Sequence, residues 1–400
     1  MIPYGRQDIS EDDIQAVVNI LRSDWLTQGP TVPAFEKAVA AYCGAGFGVA
    51  VSSATAALHI ACLSLGVGKD DIVWTSPITF VASANCAVYC GASVDFVDVD
   101  HRTYNMSVEA LRVKLENAER EKKLPKVVIP VHLSGQSCDM ESIHELSKKY
   151  GFKIIEDASH CIGGKYKNEP IGNCRYSAIT VFSFHPVKII TTGEGGMAMT
   201  NDHALAISMA HLRSHGIVRY ENEMTHPSDG PWYYQQLNLG YNYRMTDIQA
   251  ALGLSQMKRL DEFVEKRHAI AKRYNEILIE DWITLPWQHP DTYSAYHLYI
   301  VRLKKDNGVI DHLSLFKKLR AAGILVNLHY IPVYRQPFYQ KMGFDNKDFP
   351  GAESYYEEAI SLPMFPALTP EQQDFIAAVV NNKMEIPAVG DQSKGFQNIF

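Results

Sequence analysis

From Gly48 to Ile155 the chain reads as short, nearly unbroken apolar runs set between amphipathic stretches. The runs are Gly48-Val49-Ala50-Val51, Ile72-Val73-Trp74-Thr75-Ser76, Val94-Asp95-Phe96-Val97, Val127-Val128-Ile129-Pro130-Val131 and Ile154-Ile155. Rich in Val and Ile, they predict strands buried on both faces. Between them, Thr55 to Leu65, Phe80 to Cys90, Ser107 to Asn117 and Ile143 to Tyr150 are predicted helices. Upstream, Ser10 with an acid three residues on forms a capping box for a helix whose Ile14, Val17, Val18 and Leu21 share one face. A second helix is predicted over Val32 to Tyr42. Strands and helices that alternate this way build an α/β fold: a mostly parallel sheet with helices on both faces.

Past Asn242-Tyr243-Arg244-Met245-Thr246-Asp247 the pattern changes to a long helical tract reaching about Leu278. Strands at Leu298 to Val301 and Leu325 to Leu328 then flank a helix at Leu313 to Ala322. A last helix opens at Thr369 with Pro370 in its first turn. The expected organisation is a large domain over 1–245, a linking helix and small C-terminal α/β domain over 246–385, and a tail over 386–400.

The formal net charge of -7 argues against non-specific nucleic-acid binding, which wants a basic face. No apolar run approaches the ~20 residues that span a bilayer, and the first residues show no secretory signal. The seven cysteines, mostly in apolar stretches, read as free thiols in a reducing cytoplasm. Cys86 and Cys90 lack a second ligand pair, and His211 and His215 lack a metalloprotease glutamate, so no metal site is expected.

Candidate chemistry gathers at the predicted carboxyl ends of strands, where such sheets bind ligands. The run Lys153-Ile154-Ile155 ends on Glu156-Asp157, and about thirty residues on Val181-Phe182-Ser183-Phe184-His185-Pro186-Val187-Lys188 precedes a glycine-rich turn. An acid at one strand end and a lysine after the next is the arrangement pyridoxal phosphate requires. The amine holds the aldehyde as a Schiff base, and the carboxylate keeps the pyridine nitrogen protonated. Glu156 and Asp157 face opposite sides of a strand, so only one looks into the site, and Asp157 is the choice. Val51-Ser52-Ser53-Ala54-Thr55 passes from strand into helix, which with Ser183 makes a two-sided phosphate clamp. Phe80 reads as a ring-stacking aromatic or a core residue, and His160 as a partner for the cofactor's phenolic oxygen.

Taken together these blocks resemble the StrS/DegT-type sugar-nucleotide aminotransferases, from about Tyr4 to Ile376. The marks are Leu26-Thr27-Gln28-Gly29-Pro30, Ser53-Ala54-Thr55-Ala56-Ala57-Leu58, Thr79-Phe80-Val81-Ala82, Glu156-Asp157-Ala158-Ser159-His160, Ser183 to Lys188, Gly193-Glu194-Gly195-Gly196, Asn242 to Gly253 and Ser361-Leu362-Pro363. The resemblance implies the fold-type I architecture of pyridoxal-phosphate enzymes. It implies Lys188 as the Schiff-base lysine, Asp157 as the pyridinium partner, Thr55, Ala56 and Ser183 as phosphate ligands, Phe80 as the stacking ring and His160 at the ring hydroxyl. It also implies that Asn242 reaches the phosphate of the neighbouring subunit, which makes a homodimer with shared active sites. Ala54 stands where many members have Gly, and His160 where many have Gln.

Ser76-Pro77-Ile78-Thr79-Phe80, Lys188-Ile189-Ile190-Thr191-Thr192 and His329-Tyr330-Ile331-Pro332-Val333-Tyr334 resemble the branch that serves pseudaminic acid synthesis. That likeness implies L-glutamate as amino donor and a UDP-linked 4-keto-6-deoxy-N-acetylhexosamine as acceptor. Tyr4, Asp24, Trp25, Leu26, Thr27 and Ala54, with His329 and Tyr330 from the partner subunit, would line the sugar-nucleotide pocket. The alternatives are another UDP- or dTDP-linked 3- or 4-ketohexose, sugar dehydration on the same fold, and a non-catalytic pyridoxal-phosphate-binding regulator. Dehydrating relatives carry His at the lysine position, and a regulator would need a DNA-binding element that this sequence does not show.

Overall fold

The alternation of runs becomes a seven-stranded sheet in the computed structural model, which describes residues 1–305 and 308–384. The expected tail over 386–400 lies outside the described residues. The strands are β1 (Phe47–Val51), β2 (Ile72–Thr75), β3 (Ser93–Phe96), β4 (Val127–Ile129), β5 (Lys153–Asp157), β6 (Ile179–Ser183) and β7 (Gly196–Thr200). They lie in the order β1-β7-β6-β5-β4-β2-β3. All run parallel except β7, which is antiparallel to both β1 and β6.

Period-two alternation divides the strand side chains between two cores. Val49, Val51, Val73, Ile129, Ile155, Val181 and Ala198 join one buried cluster, while Ala50, Trp74, Val128, Ile154, Phe182 and Met197 join the other. Helices α3 (Ala54–Ser64), α4 (Ala82–Tyr89) and α7 (His203–Arg213) cover the first face. Helices α2 (Thr31–Cys43), α5 (Val108–Glu121), α6 (Met140–Tyr150) and α8 (Asp247–Met257) cover the second, and α1 (Glu11–Leu21) lies along α8. Side chains such as Phe35, Phe182 and Phe184 are wholly buried, each stabilising the fold by about 1.5–3 kcal/mol through removal from water. Ser10 caps α1 with the expected capping box.

The long helical tract is two helices, α8 and α9 (Leu260–Ile277), broken at Lys258 and Arg259. Beyond it, β8 (Ile283–Thr284), β9 (Tyr299–Leu303) and β10 (Ala359–Leu362) form an antiparallel sheet in the order β8-β9-β10. Packed with it are α10 (His312–Ala321), α11 (Pro350–Glu358) and α12 (Pro370–Val380), the last with Thr369 as N-cap and Pro370 in its first turn. The strand expected at Leu325 to Leu328 is shorter and shifted. Ile324–Leu325 pairs in parallel with Ile2–Pro3, so its partner lies at the far end of the chain. Among the described residues no helix is long and apolar enough to cross a membrane.

Candidate functional site

The site forms at the carboxyl edge of β5 and β6 on the α3/α4 face. Strand parity puts Asp157 there and turns Glu156 the other way. Asp157 pairs in register with Val181, two residues before Ser183. The buried Asp157 carboxylate accepts Ser83 Oγ–H at 2.6 Å on Oδ2 and the Ser159 amide at 3.1 Å on Oδ1, which fixes its plane. On the opposite face Glu156 accepts from His132 Nε2 at 2.8 Å and from Thr180 Oγ1 at 3.1 Å. The reading of Asp157 as the inward carboxylate is thus carried by hydrogen bonds on both faces.

Lys188 follows β6, its amide donating to the His185 carbonyl at 2.9 Å. Burial pulls its ammonium down to about 8, and the Asp157 carboxylate opposes part of that fall. A lysine in water titrates near 10.4, so this amine is mostly neutral above pH 8, where it becomes a nucleophile and a base. Acylation of Lys188 in the cofactor-free protein, followed by peptide mass spectrometry against pH, is therefore expected to rise through pH 8 and level off above it. A midpoint above 10 would contradict the dry environment argued here.

Around the amine stand three imidazoles. His160 Nδ1 accepts the Ser134 amide at 3.3 Å, so the ring is neutral and its Nε2–H donates to Tyr330 Oη at 3.1 Å. Burial first, then Lys188 and His329, hold the His160 pKa well below its ordinary value. His329 is pushed down to about 3 by burial and by Lys188, and its Nδ1 is 2.8 Å from Ser361 Oγ. The His297 ring centroid lies 4.3 Å from that of His160. Tyr4 packs on His329 with ring centroids 5.1 Å apart, and Phe80 on Tyr330 at 6.3 Å.

Between β1 and β6 the strand β7 brings two loops together. Gly196 pairs with both Val51 and Ser183, which places the start of α3 beside the Ser183 hydroxyl. Ser53 caps α3 by accepting the Ala56 amide at 3.2 Å, and Ala57 donates back to the Ser53 carbonyl. The first-turn amides left for an anion are those of Ala54 and Thr55. The amide of Ala56, expected with Thr55 at the phosphate, meets the Ser53 hydroxyl in this structure. A Cβ on Gly196 would fall 2.5 Å from Ala54 N and from the Ser53 carbonyl carbon, both backbone atoms that cannot swing aside. Gly196→Ala is expected to cost about 1–3 kcal/mol of stability through overpacking. It should also weaken cofactor binding at least about tenfold, equivalent to 1.4 kcal/mol. Thermal unfolding and cofactor titration together check this.

Phe80 is 57% exposed, because α4 starts at Ala82 and leaves it in the preceding turn. The core alternative for Phe80 falls away, and its ring is free to cover a flat ligand. His329 and Tyr330 reach Lys188's site from within the same chain, as the His160–Tyr330 hydrogen bond shows. The expectation that they serve the neighbouring subunit is corrected: the segment after Leu325 folds back over its own large sheet. Asp24, Trp25, Leu26 and Thr27 are exposed on the approach to α2, tied down by a Thr27–Thr246 bridge. Asn242 is also exposed and bridged to Ser214.

Sequence reasoning missed Ser83, Ser134, His297 and Arg267. Arg267 is wholly buried and its Nη1 donates to the carbonyls of Tyr296, His297 and Met364 at 3.0, 3.2 and 3.1 Å. Six cysteines are buried and Cys90 is half-buried, all as free thiols. Among the described residues no group of three or more His, Cys, Asp or Glu side chains could hold a metal ion.

Pyridoxal phosphate suits this arrangement: an anion cradle, a fixed carboxylate, an exposed aromatic and a lysine of lowered pKa converge on one edge. On this sheet order they define a pyridoxal-phosphate-dependent aminotransferase. More particularly, the chain belongs to the DegT/DnrJ/EryC1/StrS aminotransferase family, whose model matches residues 7–381. It is 39% identical over 385 residues to the spore coat polysaccharide biosynthesis protein SpsC of Bacillus subtilis, covering 95% of this chain and 96% of SpsC. It is 35% identical over 377 residues to a UDP-4-amino-4,6-dideoxy-N-acetyl-beta-L-altrosamine transaminase of Campylobacter jejuni, covering 94% and 96%. Among solved structures, Helicobacter pylori PseC, an aminotransferase of pseudaminic acid biosynthesis, superposes with a TM-score of 0.85 at 30% identity, covering 95% of this chain and 98% of PseC. Spr1654 of Streptococcus pneumoniae, solved in its PMP form, gives 0.85 at 29% identity, covering 96% and 98%. The chain is a sugar aminotransferase.

Proposed function

We propose that this enzyme moves the amino group of L-glutamate to C4 of UDP-2-acetamido-2,6-dideoxy-β-L-arabino-hexos-4-ulose, giving UDP-4-amino-4,6-dideoxy-N-acetyl-β-L-altrosamine and 2-oxoglutarate. The observation that carries the amino transfer is the Lys188 amine, its pKa pulled down to about 8, acting with the fixed Asp157 carboxylate. The sugar is supported by the Campylobacter transaminase, alike over nearly the whole of both chains.

When bound, pyridoxal phosphate supplies an aldehyde for the amine and a ring that accepts the electron pair released at the donor's Cα. In this reading Lys188 Nζ would hold the aldehyde until the donor's amine displaces it; the freed amine would then move the donor's Cα proton to the cofactor's C4′, and in the second half a C4′ proton to C4 of the sugar. Asp157 keeps a proton on the pyridine nitrogen. Ser183 with Thr55 and Ala56 at the start of α3 holds the phosphate, Phe80 covers the ring, and His160 Nε2–H, which meets Tyr330 Oη at 3.1 Å in this structure, would turn to the ring hydroxyl. The partner subunit's Asn242 completes the phosphate cradle, a role that suits its exposed position on this chain. Tyr4, His329 and Tyr330 border the sugar from the same chain, with the exposed loop from Asp24 to Thr27 at the pocket's rim.

A second reading is another UDP- or dTDP-linked ketohexose, since the chain is 39% identical to SpsC, a protein of spore coat polysaccharide biosynthesis, against 35% to the transaminase. The two part in one experiment: incubation with L-glutamate and each keto-sugar, with the product followed by NMR. The first reading expects kcat/KM at least about tenfold higher for the altrosamine precursor, a transition-state preference of 1.4 kcal/mol. Equal or lower efficiency than with a dTDP-linked ketohexose would replace it with the second.

A further inference from the structure

One buried side chain braces the turn that orients His160. Asn105, 2% exposed, lies in the loop between β3 and α5. Its Oδ1 accepts the Leu133 amide at 2.9 Å, and its Nδ2 donates to the carbonyls of Gln136 and Ser137 at 2.9 and 3.1 Å. A single carboxamide thus holds both ends of the turn. Inside the turn Ser134 and Gly135 take left-handed φ of 63° and 100°. At Gly135 a Cβ would fall 2.8 Å from the Tyr296 backbone nitrogen, so this position admits only glycine without a shift of the chain. The Ser134 amide then meets His160 Nδ1 at 3.3 Å. The Ser134 and Gly135 carbonyls accept from Leu298 and Ala295 at 3.3 and 2.9 Å, which sets the segment carrying His297.

We propose that Asn105 is a positioning residue that acts through the Ser134 amide to fix His160 as the neutral tautomer with its proton on Nε2. A backbone N–H only donates, so Nδ1 has to accept and the proton has to sit on Nε2. A donor, and not a lone pair, then faces the site, where in this structure it meets Tyr330 Oη at 3.1 Å. The inference rests on the reading of His160 as partner of the cofactor's ring hydroxyl. The charged and titratable groups facing the ring are Lys188 after β6, His297 beside β9, and His329 and Tyr330 from the segment before α11. With a cation this close, the choice at His160 is between two neutral tautomers. An Asp at 105 would keep the bond to Leu133 but lose both donations, and an Ala would lose all three.

The test uses the full chain with ¹⁵N-labelled histidine, with and without pyridoxal phosphate, and long-range ¹H–¹⁵N NMR, with His160→Gln identifying the resonance. Wild type should show the Nε2–H pattern throughout pH 6.5 to 8.5, and Asn105→Ala a mixture of tautomers. In parallel, the pKa of the bound cofactor's absorption band should rise by about half a unit or more in Asn105→Ala, because a donor favours the anionic ring oxygen. That rise should vanish in a His160→Gln background, where a carboxamide donates whatever the turn does. If Asn105→Ala does not fold, Asn105→Ser and the wild-type spectrum carry the test. An Nδ1–H or imidazolium pattern in wild type, or an equal rise in both backgrounds, overturns the relay while leaving the cofactor reading intact. Failure to bind the cofactor at all would instead strike that reading.

Discussion

Lys188→Ala is expected to lower kcat by at least about 10⁴-fold while the protein keeps its fold. In the proposed reaction the residue has two tasks, holding the aldehyde and moving the proton, and both halves need the second. Groups that act as one unit lose nearly everything when one is removed, so no neighbour compensates. The neutral imidazoles of His160 and His329 stand near, but hydrogen bonds to Ser134 and Ser361 already engage their ring nitrogens. Stability should hold or rise. A lysine whose folded pKa lies near 8, against 10.4 unfolded, opposes folding below pH 8, and that penalty fades between pH 8 and 10.4. Removing the side chain removes the penalty, so Tm at pH 7 should not fall. Lys188→Arg separates charge from basicity: it keeps a cation that cannot deprotonate, and should be as inactive as the alanine variant. Steady-state rates and thermal unfolding of both variants check this; a rate within tenfold of wild type in either would remove Lys188 from its role.

Asp157→Asn should be the next most damaging change, lowering kcat by about 10²–10³-fold. The replacement is nearly isosteric, and its carbonyl can still accept from Ser83 or Ser159. What disappears is the negative charge that, in the proposed role, holds a proton on the pyridine nitrogen. The loss should fall on kcat more than on cofactor affinity, since the phosphate grip at Ser183 and α3 is untouched. A cofactor analogue quaternised at the ring nitrogen carries that positive charge permanently and should recover much of the lost rate. Full activity of Asp157→Asn with the ordinary cofactor would show that the carboxylate does not have this role.

Why these two residues were readable from the sequence is a matter of strand physics. Strands covered on both faces appear as unbroken apolar runs, and their ends mark the ligand edge. Once Ile154-Ile155 is a strand, alternation decides that Glu156 and Asp157 part company, and their hydrogen-bond partners on opposite faces bear this out. β7 was harder to see. Gly196-Met197-Ala198-Met199-Thr200 lacks β-branched residues until its end, and it reverses direction after a glycine turn, so it looks like loop. Phe80 was assigned to a helix that begins two residues later, at Ala82, and that offset is what exposes it.

Contacts between distant parts of the chain left no local signal. Ser83 meets Asp157 across 74 residues, and His160 meets Tyr330 across 170. His329 and Tyr330 were recognisable as pocket residues, but not whose pocket they line, because that depends on how the segment past Leu325 folds back. Asn105 shows the same limit. It looks like an ordinary loop asparagine, and its importance appears only when the turn at 133–137 closes around it.

The most direct test of the central claim is an absorbance spectrum of the purified protein with pyridoxal phosphate, before and after L-glutamate. The account predicts that the visible band of the lysine-bound cofactor gives way to the near-ultraviolet band of its amine form, with 2-oxoglutarate released in step. A bound cofactor whose spectrum glutamate leaves unchanged, or a protein that binds no cofactor, would contradict it.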